Sequence, residues 1–500
     1  MLPLLISSQI READAYTIAH EPISSVNLME RAAKAFVGWF VNHFPDKNQP
    51  VSVYCGTGNN GGDGLAIARM LHDHHYKAIN VKITRFSDKA SDDFNANLKK
   101  LQKTVQVTEI KPKDELPAED SDILIDAMLG SGLNKPLKGD YLKLVKRLNQ
   151  LQKTVVAVDV PTGFFTEGVV DADATVLKAD LVITFQQPKI NFLLPESGPV
   201  INCWEAVNIG IDEGFLRSLN SPYQFVEEKD IRKMIKPRHK FSNKGTYGHA
   251  LMVAGQAKTM GAALLCASAC AQAGTGLTTA CIPESGLTAL NSYMPEIMAI
   301  IRQGSDLPEI KWDQFTAIGI GPGLGNDESS LALLVYIFTN YKKPVVIDAD
   351  ALNLISEHKE LWGLIPAGSI LTPHMKEFDR LFGEHKSWWE RLQTAIVKAK
   401  EYKICIVLKN DYTISATPDG KAYFNSTSNA AMASGGMGDV LTGIIASLLA
   451  QQYSPAEACI IGNYVHGKAG DELAMPNRMN VVLPGRIVAQ LPLTMAKLKP

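Results

Sequence analysis

An α/β protein of two successive domains is predicted by three features of the sequence. Short β-rich strands alternate with helical stretches, glycine-rich turns follow the strands, and the chain has 500 residues. Single hydrophobic cores stop growing near ~250–300 residues, so this length implies two or more folding units. At 46% hydrophobic and 20% charged residues, the composition is that of an ordinary soluble globular enzyme. Fifty basic against 52 acidic side chains leave a net charge of −2, which argues against a basic nucleic-acid binder or an acidic disordered chain. The seven cysteines are odd in number, lie mostly in apolar runs and form no C-x-x-C, which suits a reducing compartment better than disulfides or zinc.

A helical lead opens the first half. From Ser8 to Asn42 the apolar residues Ile10, Ala13, Ile18, Leu28, Ala32, Phe36 and Phe40 recur at helical spacing. Strands are expected at 51–55, 81–83, 123–127, 155–158 and 181–185, with a helix from Leu65 to about His74 after a glycine-rich turn. Such alternation implies a parallel sheet covered on both faces. Between Ile211 and Ile231 the pattern gives way to Asp-Glu-Gly and Asn220-Ser-Pro-Tyr, and the domain boundary is placed there. The second half is again α/β, with strands expected at 250–254, 277–281, 315–320, 345–348, 370–372, 405–408, 412–415 and 422–424. Its helices are expected at 261–273, at 376–382 and from about Asp439 to Ala450, and no repeat relates the two halves.

Chemistry-bearing residues gather at strand ends. Gly56–Gly64 holds five glycines with Thr57, Asn59, Asn60 and Asp63. A loop of this kind lets backbone N–H groups converge on an anion, because glycine tolerates positive φ, and it feeds a helix N-terminus. The helix end alone is worth only ~0.3–1 kcal/mol at an exposed site, so the converging donors must do most of the holding. The spacing is not G-x-x-x-x-G-K-[ST], which excludes a Walker-type phosphate loop, and the run reads as no G-x-G-x-x-G fingerprint either. Asp126 and Asp159 each close an apolar strand, and ligands of parallel α/β sheets bind at that edge. A lone strand-end Asp is often a turn residue; three such loops, with Asp63 and Thr162, point to one crevice.

These runs resemble the epimerase domain of the NAD(P)H-hydrate repair family. The residues that carry the likeness are Gly58–Gly64, Asp126-Ala-Met-Leu-Gly-Ser-Gly132 and Asp159-Val-Pro-Thr-Gly163, with Arg11-Glu-Ala-Asp14 and Leu28-Met-Glu-Arg31 ahead of them. The resemblance covers about residues 1–215 and implies a Rossmann-like three-layer domain that interconverts the R and S hydrates of NADH and NADPH. It implies that Asn59, Asn60, Gly61, Gly62 and Asp63, with Gly130, Ser131, Gly132, Leu133, Asn134, Lys135 and Pro136, hold the substrate, with Tyr141 nearby. Asn60, Asp126 and Thr162 would coordinate potassium, Thr162 standing where serine is common, and Asp159 would contact the hydrated ring as general base. A cation is physically apt beside a diphosphate and three carboxylates, since two unit charges 4 Å apart interact by about 4 kcal/mol at an effective dielectric near 20.

In the second half, Ala433-Ser-Gly-Gly-Met-Gly-Asp439 places three glycines among the four residues before an Asp that opens an apolar helix. Backbone N–H groups at Gly436 and Gly438 would form an anion hole, with Asp439 beside it to accept a proton from a substrate hydroxyl. The alternative is that Asp439 merely caps the helix. Gly319–Gly325 has glycine at every second position, and Val346–Asn353, Leu371–Phe378 and Val407–Thr413 are further strand-end clusters. Together they resemble the ribokinase-like dehydratase domain of the same family, here given the span 222–495. Met437 replaces the family's usual serine, and Gln272-Ala-Gly-Thr-Gly276 lacks the arginine often found before that glycine motif.

The resemblance implies ADP-dependent dehydration of the S hydrate, with Mg2+ as the nucleotide's companion ion. Asp439 would be the base, Gly436 and Gly438 the anion hole, and Lys409, Asn410, Asp411, Tyr412 and Thr413, with Gly438, the nucleotide pocket. Gly261, Gly323, His374 and Asp439 would contact the hydrate. A lone histidine such as His374 is more often a satisfied turn residue; His72-Asp-His-His75 reads as a solvated helix end, and Cys266 and Cys270 as core packing. Two rivals stay open: a small-molecule kinase of the ribokinase fold, and a first domain that is only a binding scaffold. ADP rather than ATP, a homo-oligomer and a cytoplasmic location are expected, since Met1–Ile10 lacks the basic region and cleavage site of a signal peptide.

Overall fold

The structure is a computed structural model that describes residues 1–101, 105–115, 118–304, 306–476 and 478–499. It divides into two compact units: Pro3–Ser221 with Ser387–Trp389, and Pro222–Lys386 with Glu390–Pro500 and Met1–Leu2.

The first unit is built on a seven-stranded sheet whose neighbours all run parallel. Its order is Val107–Ile110, Ile79–Thr84, Val51–Cys55, Ile123–Ala127, Thr154–Val158, Ala179–Phe185 and Ile201–Val207. From the Val51–Cys55 strand the chain first winds one way, then returns to the other side, so a crevice opens between this strand and Ile123–Ala127. Side chains alternate between two buried layers: Val51, Val53, Ile123 and Ile125 pack with Phe36, Phe40 and Ile67, while Tyr54 and Leu124 pack with Leu144, Val155 and Phe192. The outer strands Val107–Ile110 and Ile201–Val207 are missing from the sequence expectation because, half exposed at the edges, they lack a continuous apolar run.

Here the structure corrects the sequence reading. The helix after Val51–Cys55 begins at Asn59, not Leu65, so most of the supposed loop is its first two turns. None of Gly56, Gly58, Gly61, Gly62 and Gly64 has positive φ. The run Gly56-Thr-Gly-Asn-Asn-Gly61 has G-x-G-x-x-G spacing, and its glycines serve close approach. A Cβ on Gly61 would lie 1.8 Å from the Gly56 carbonyl oxygen, and one on Gly64 would lie 2.5 Å from the Ala127 Cβ. The glycines pull the helix down onto the sheet, so the helix N-terminus reaches the crevice.

The second unit carries a larger sheet in the order Tyr223–Val226, Ala422–Asn425, Ile414–Ala416, Cys405–Leu408, Ile370–Leu371, Val345–Ile347, Ala317–Ile320, His249–Val253, Leu277–Pro283 and Met298–Arg302. Ile414–Ala416 is antiparallel to both neighbours; the other pairs are parallel. The helix Met437–Ala450 lies against Met260–Gln272, and Gly443 permits this: a Cβ there would sit 2.1 Å from the Cys266 carbonyl oxygen. Cys266 and Cys270 are fully buried in that contact. The stretch in which the pattern dissolves holds short elements: helix Glu213–Ser218, strand Tyr223–Val226 and helix Glu228–Met234. No helix among the described residues is long and apolar enough to cross a membrane.

Candidate active sites

In the first unit a cavity of about 710 Å³ opens at the C-terminal edge of the sheet. Strand Ile123–Ala127 ends by delivering the buried Asp126 carboxylate to the loop after the neighbouring strand. Its Oδ1 accepts the Thr162 hydroxyl (2.7 Å) and the Met128 N–H (3.2 Å), and its Oδ2 accepts the Thr162 N–H (2.7 Å). Burial outweighs these bonds and pushes the carboxyl up to about 6. The Thr162 hydroxyl in turn accepts the Leu129 N–H at 3.0 Å, and next along the chain Gly130 lies against Asn60, whose buried Nδ2 has no partner among the described residues. Asn60, Asp126 and Thr162 are thus linked through residues 129 and 130.

Asp159 sits at positive φ (61°), which turns its side chain back over the sheet edge. Its Oδ1 is 2.8 Å from the Lys189 Nζ and accepts the Thr184 hydroxyl (3.1 Å) and the Phe185 N–H (3.0 Å). Lys189 and Asp14 line this cavity and escaped the sequence reading of single residues; Gln187-Pro-Lys189, just past a strand end, was the available signal for the lysine. Burial, then Asp159, hold the Asp63 carboxyl well above its ordinary value. Tyr141 also faces the cavity, its phenol oxygen accepting the Thr84 hydroxyl at 3.3 Å.

Of the residues named from the sequence, Asn59, Asn60, Asp63, Gly130, Ser131, Gly132, Leu133, Tyr141 and Asp159 line this cavity. Asn134 lines a neighbouring hollow that shares Arg11, Ser131, Gly132 and Leu133 with it. Lys135 and Pro136 line neither, and Gly61 and Gly62 are buried in the first turn of helix Asn59–Asp73, facing the Gly56 carbonyl and Met29. The His72–His75 run is exposed at the end of helix Asn59–Asp73.

The second unit has a cavity of about 580 Å³, again beside strand ends. Gly436 adopts the left-handed conformation (φ 93°) and stops the chain so that helix Met437–Ala450 starts with its free N–H groups at the cavity wall. Asp439 lies in the first turn. It makes no hydrogen bond among the described residues, so it does not cap the helix. Burial, then Asp348, push its carboxyl up to about 7.

Asp348 is itself held: Oδ1 is 2.9 Å from the Lys409 Nζ, and Oδ2 accepts the Thr442 hydroxyl at 2.7 Å. Burial pulls the Lys409 ammonium down, yet Asp348, Glu377 and Asp439 keep it above the usual lysine value. A Cβ on Gly438 would sit 3.3 Å from that Nζ, so this glycine leaves the lysine room.

His374 faces the cavity but its Nδ1 is occupied as a helix cap, accepting the Lys376 and Glu377 N–H groups at 3.1 and 3.3 Å. Burial lowers its proton affinity, with Glu377 opposing. Asn410, Asp411 and Thr413 line the cavity with Lys409; Tyr412 does not. Gly261 and Gly323 also lie off its wall, Gly323 instead packing closely on Thr259 and Ala262. The sequence reading passed over Asn463 and His466, which helix Pro455–Ala474 turns inward. Both amide atoms of Asn410, the Asn463 Oδ1 and the His466 Nε2 are buried without partners among the described residues. Burial and Lys409 push His466 down to about 4. Four orphaned polar atoms on one cavity wall are costly unless a ligand satisfies them.

Residues 250–493 match the family described as NAD(P)H-hydrate dehydratase, and residues 25–191 match the family described as YjeF-related protein N-terminus. A bifunctional NAD(P)H-hydrate repair enzyme of Moorella thermoacetica is 30% identical over 99% of this chain and 97% of its own. One of Coxiella burnetii is 32% identical over 95% of each chain. A solved ADP/ATP-dependent NAD(P)H-hydrate dehydratase of Bacillus subtilis, co-crystallised with ATP/Mg2+, is 29% identical over 55% of this chain and 99% of that one, with a TM-score of 0.49.

Proposed function

The chain belongs to the family of bifunctional NAD(P)H-hydrate repair enzymes, and on that premise we propose how its two cavities divide the work. The protein repairs hydrated NADH and NADPH by epimerising the R and S hydrates and dehydrating the S hydrate. Epimerisation is assigned to the unit of residues 1–215 and dehydration to residues 222–495. What carries the assignment is that each unit has its own cavity at the C-terminal edge of its own sheet, walled by its own buried acid.

In the dehydratase cavity, Asp439 takes the proton of the ring hydroxyl while that oxygen attacks the terminal phosphoryl group of ADP. AMP departs, and the developing charge meets the N–H groups around Gly436 and Gly438. The phosphorylated oxygen then leaves as phosphate, pushed by the ring nitrogen lone pair, and loss of the adjacent carbon-bound proton restores the ring double bond. The orphaned atoms of Asn410, Asn463 and His466 suit the donors and acceptors of the nucleotide. ADP as donor, Mg2+ beside its phosphates, self-association and a cytoplasmic location belong to the same proposal. The decisive assay mixes the protein with the S hydrate of NADH and ADP and follows the reduced nicotinamide absorbance. Full recovery is expected, and none with either ADP or ATP would favour a plain small-molecule kinase.

Asp159→Ala is expected to slow conversion of the R hydrate by at least tenfold and leave dehydration of the S hydrate unchanged. Equal loss of both activities, or of neither, would count against the division. A non-catalytic scaffold is disfavoured by the desolvated carboxyls, which are costly in a wall that does no chemistry.

Potassium fits Asn60, Asp126 and Thr162 by donor chemistry, since a carboxylate, a hydroxyl and an amide carbonyl each offer oxygen to a hard cation. The ion would supply positive charge beside the dinucleotide phosphates. Replacing sodium by potassium at 100 times its dissociation constant is expected to stabilise the first unit by about 2.7 kcal/mol. A thermal melt of the unsubstituted protein checks this against Asp126→Ala, whose melt should ignore the choice of cation.

A further inference from the structure

The carboxyl groups of the first cavity have unequal partners. Asp159 receives an ammonium, a hydroxyl and a backbone N–H on one oxygen. Three partners on one oxygen hold that carboxylate in a single position. Asp14 differs. It lies on helix Ser7–His20, faces the same cavity, and among the described residues makes neither a hydrogen bond nor an ion pair.

We propose that Asp14 is the proton-carrying catalytic residue of the epimerase centre, and that Asp159, locked by Lys189, is the fixed counter-anion for the ring. This rests on the epimerase reading above. The charged groups around Asp14 are Asp63 from helix Asn59–Asp73, Asp159 and Lys189 from the strand-end loops, and Arg11 on its own helix. Burial first, then Asp159, push Asp14 up to about 6, with Lys189 opposing. Both protonation states are therefore populated near neutrality, as a proton carrier requires.

The step balances. Asp14 gives its proton to the ring hydroxyl, the C–O bond breaks with both electrons on oxygen, and water leaves as the ring nitrogen lone pair forms C=N. The cation so made sits opposite the Asp159 carboxylate. Water then adds to the other face, its lone pair making the new C–O bond while the C=N pair returns to nitrogen. The extra proton goes back to Asp14, and no oxidant or co-substrate is consumed.

The test uses the full chain with purified R hydrate of NADH, measuring R-to-S conversion by chromatography above the buffer-only rate. The unsubstituted protein should lose kcat above a pH of about 6, tenfold per unit, because the protonated acid starts the reaction. Asp14→Asn should lose roughly 10²–10⁴-fold in kcat with little change in KM, and lose that limb of the profile. Asp14→Glu should regain part of the rate and the limb. In Asp159→Asn, where the repelling charge is gone, the limb should move to lower pH. Unchanged dehydration of the S hydrate and a single cooperative melt report that each variant is folded. Asp14→Asn with the unsubstituted rate and limb would overturn the inference alone. No R-to-S conversion by the unsubstituted protein would overturn the epimerase reading and this inference with it.

Discussion

Asp439→Asn should lower dehydration of the S hydrate by roughly 10²–10⁴-fold, the span general-base catalysis supplies, and leave R-to-S conversion untouched. The same substitution should raise stability at pH 8. Its carboxyl moves from 3.8 to about 7 on folding, mainly through burial and then through Asp348. A group whose folded value is raised costs stability above that value and is relieved as the pH falls through it. The cost is therefore full above about 7, fades between 7 and 4, and is on the order of a few kcal/mol. A negative side chain in a first helical turn returns only ~0.3–1 kcal/mol, so the dipole does not balance the burial. A group that destabilises the fold yet makes no hydrogen bond among the described residues belongs there for its chemistry. Dehydration by the unsubstituted protein should accordingly rise about tenfold per pH unit up to about 7 and level off above it, since only the carboxylate accepts a proton. A paired measurement of melt and turnover at pH 6 and pH 8 checks both signs. A variant that is less stable and equally active would reduce Asp439 to a helix-terminal residue.

How far the sequence disclosed this is uneven, for physical reasons. Central strands such as Val51–Cys55, Ile123–Ala127 and Cys405–Leu408 are apolar throughout because both faces are covered, so their ends, and the acids at those ends, were readable. The chain boundaries of a short antiparallel strand were not: the strand expected at 412–415 lies at Ile414–Ala416, its alternation blurred by full burial. Lys189 and Asp14 went unread as partners of Asp159 because their roles arise from a charge pair and a missing bond, neither of which has a sequence period. Asn463 and His466 were hidden in helix Pro455–Ala474, where polar residues on an inward face look like ordinary interruptions of an apolar stretch. Gly56–Gly64 misled in a more instructive way. Its composition suggested a flexible anion loop, whereas its spacing serves a helix pressed onto a sheet.

That difference yields the second large effect. Gly61→Ala should destabilise the first unit by about 3 kcal/mol or more and abolish R-to-S conversion, while dehydration of the S hydrate survives. Gly61 is helical, and on propensity alone alanine would be favoured there by about 1 kcal/mol. Sterics oppose it. The new Cβ would lie 1.8 Å from the Gly56 carbonyl oxygen, 2.6 Å from its carbon and 3.0 Å from its nitrogen, all backbone atoms with no rotamer to escape into. Lifting the helix to make room would open the contact of Gly64 with Ala127 and Cys55, so the strain cannot be relieved locally. Overpacked cores typically cost 1–3 kcal/mol, and a backbone-to-backbone clash belongs at or beyond the upper end. Gly132→Ala is the control: it lies on the same cavity, has no heavy atom within 4 Å of the added carbon, and should melt like the unsubstituted protein. A loop that held its ligand through glycine flexibility would respond differently, keeping its melt in Gly61→Ala and losing only substrate affinity. Thermal melts of the two variants, read beside R-to-S conversion, separate a packing glycine from a binding one.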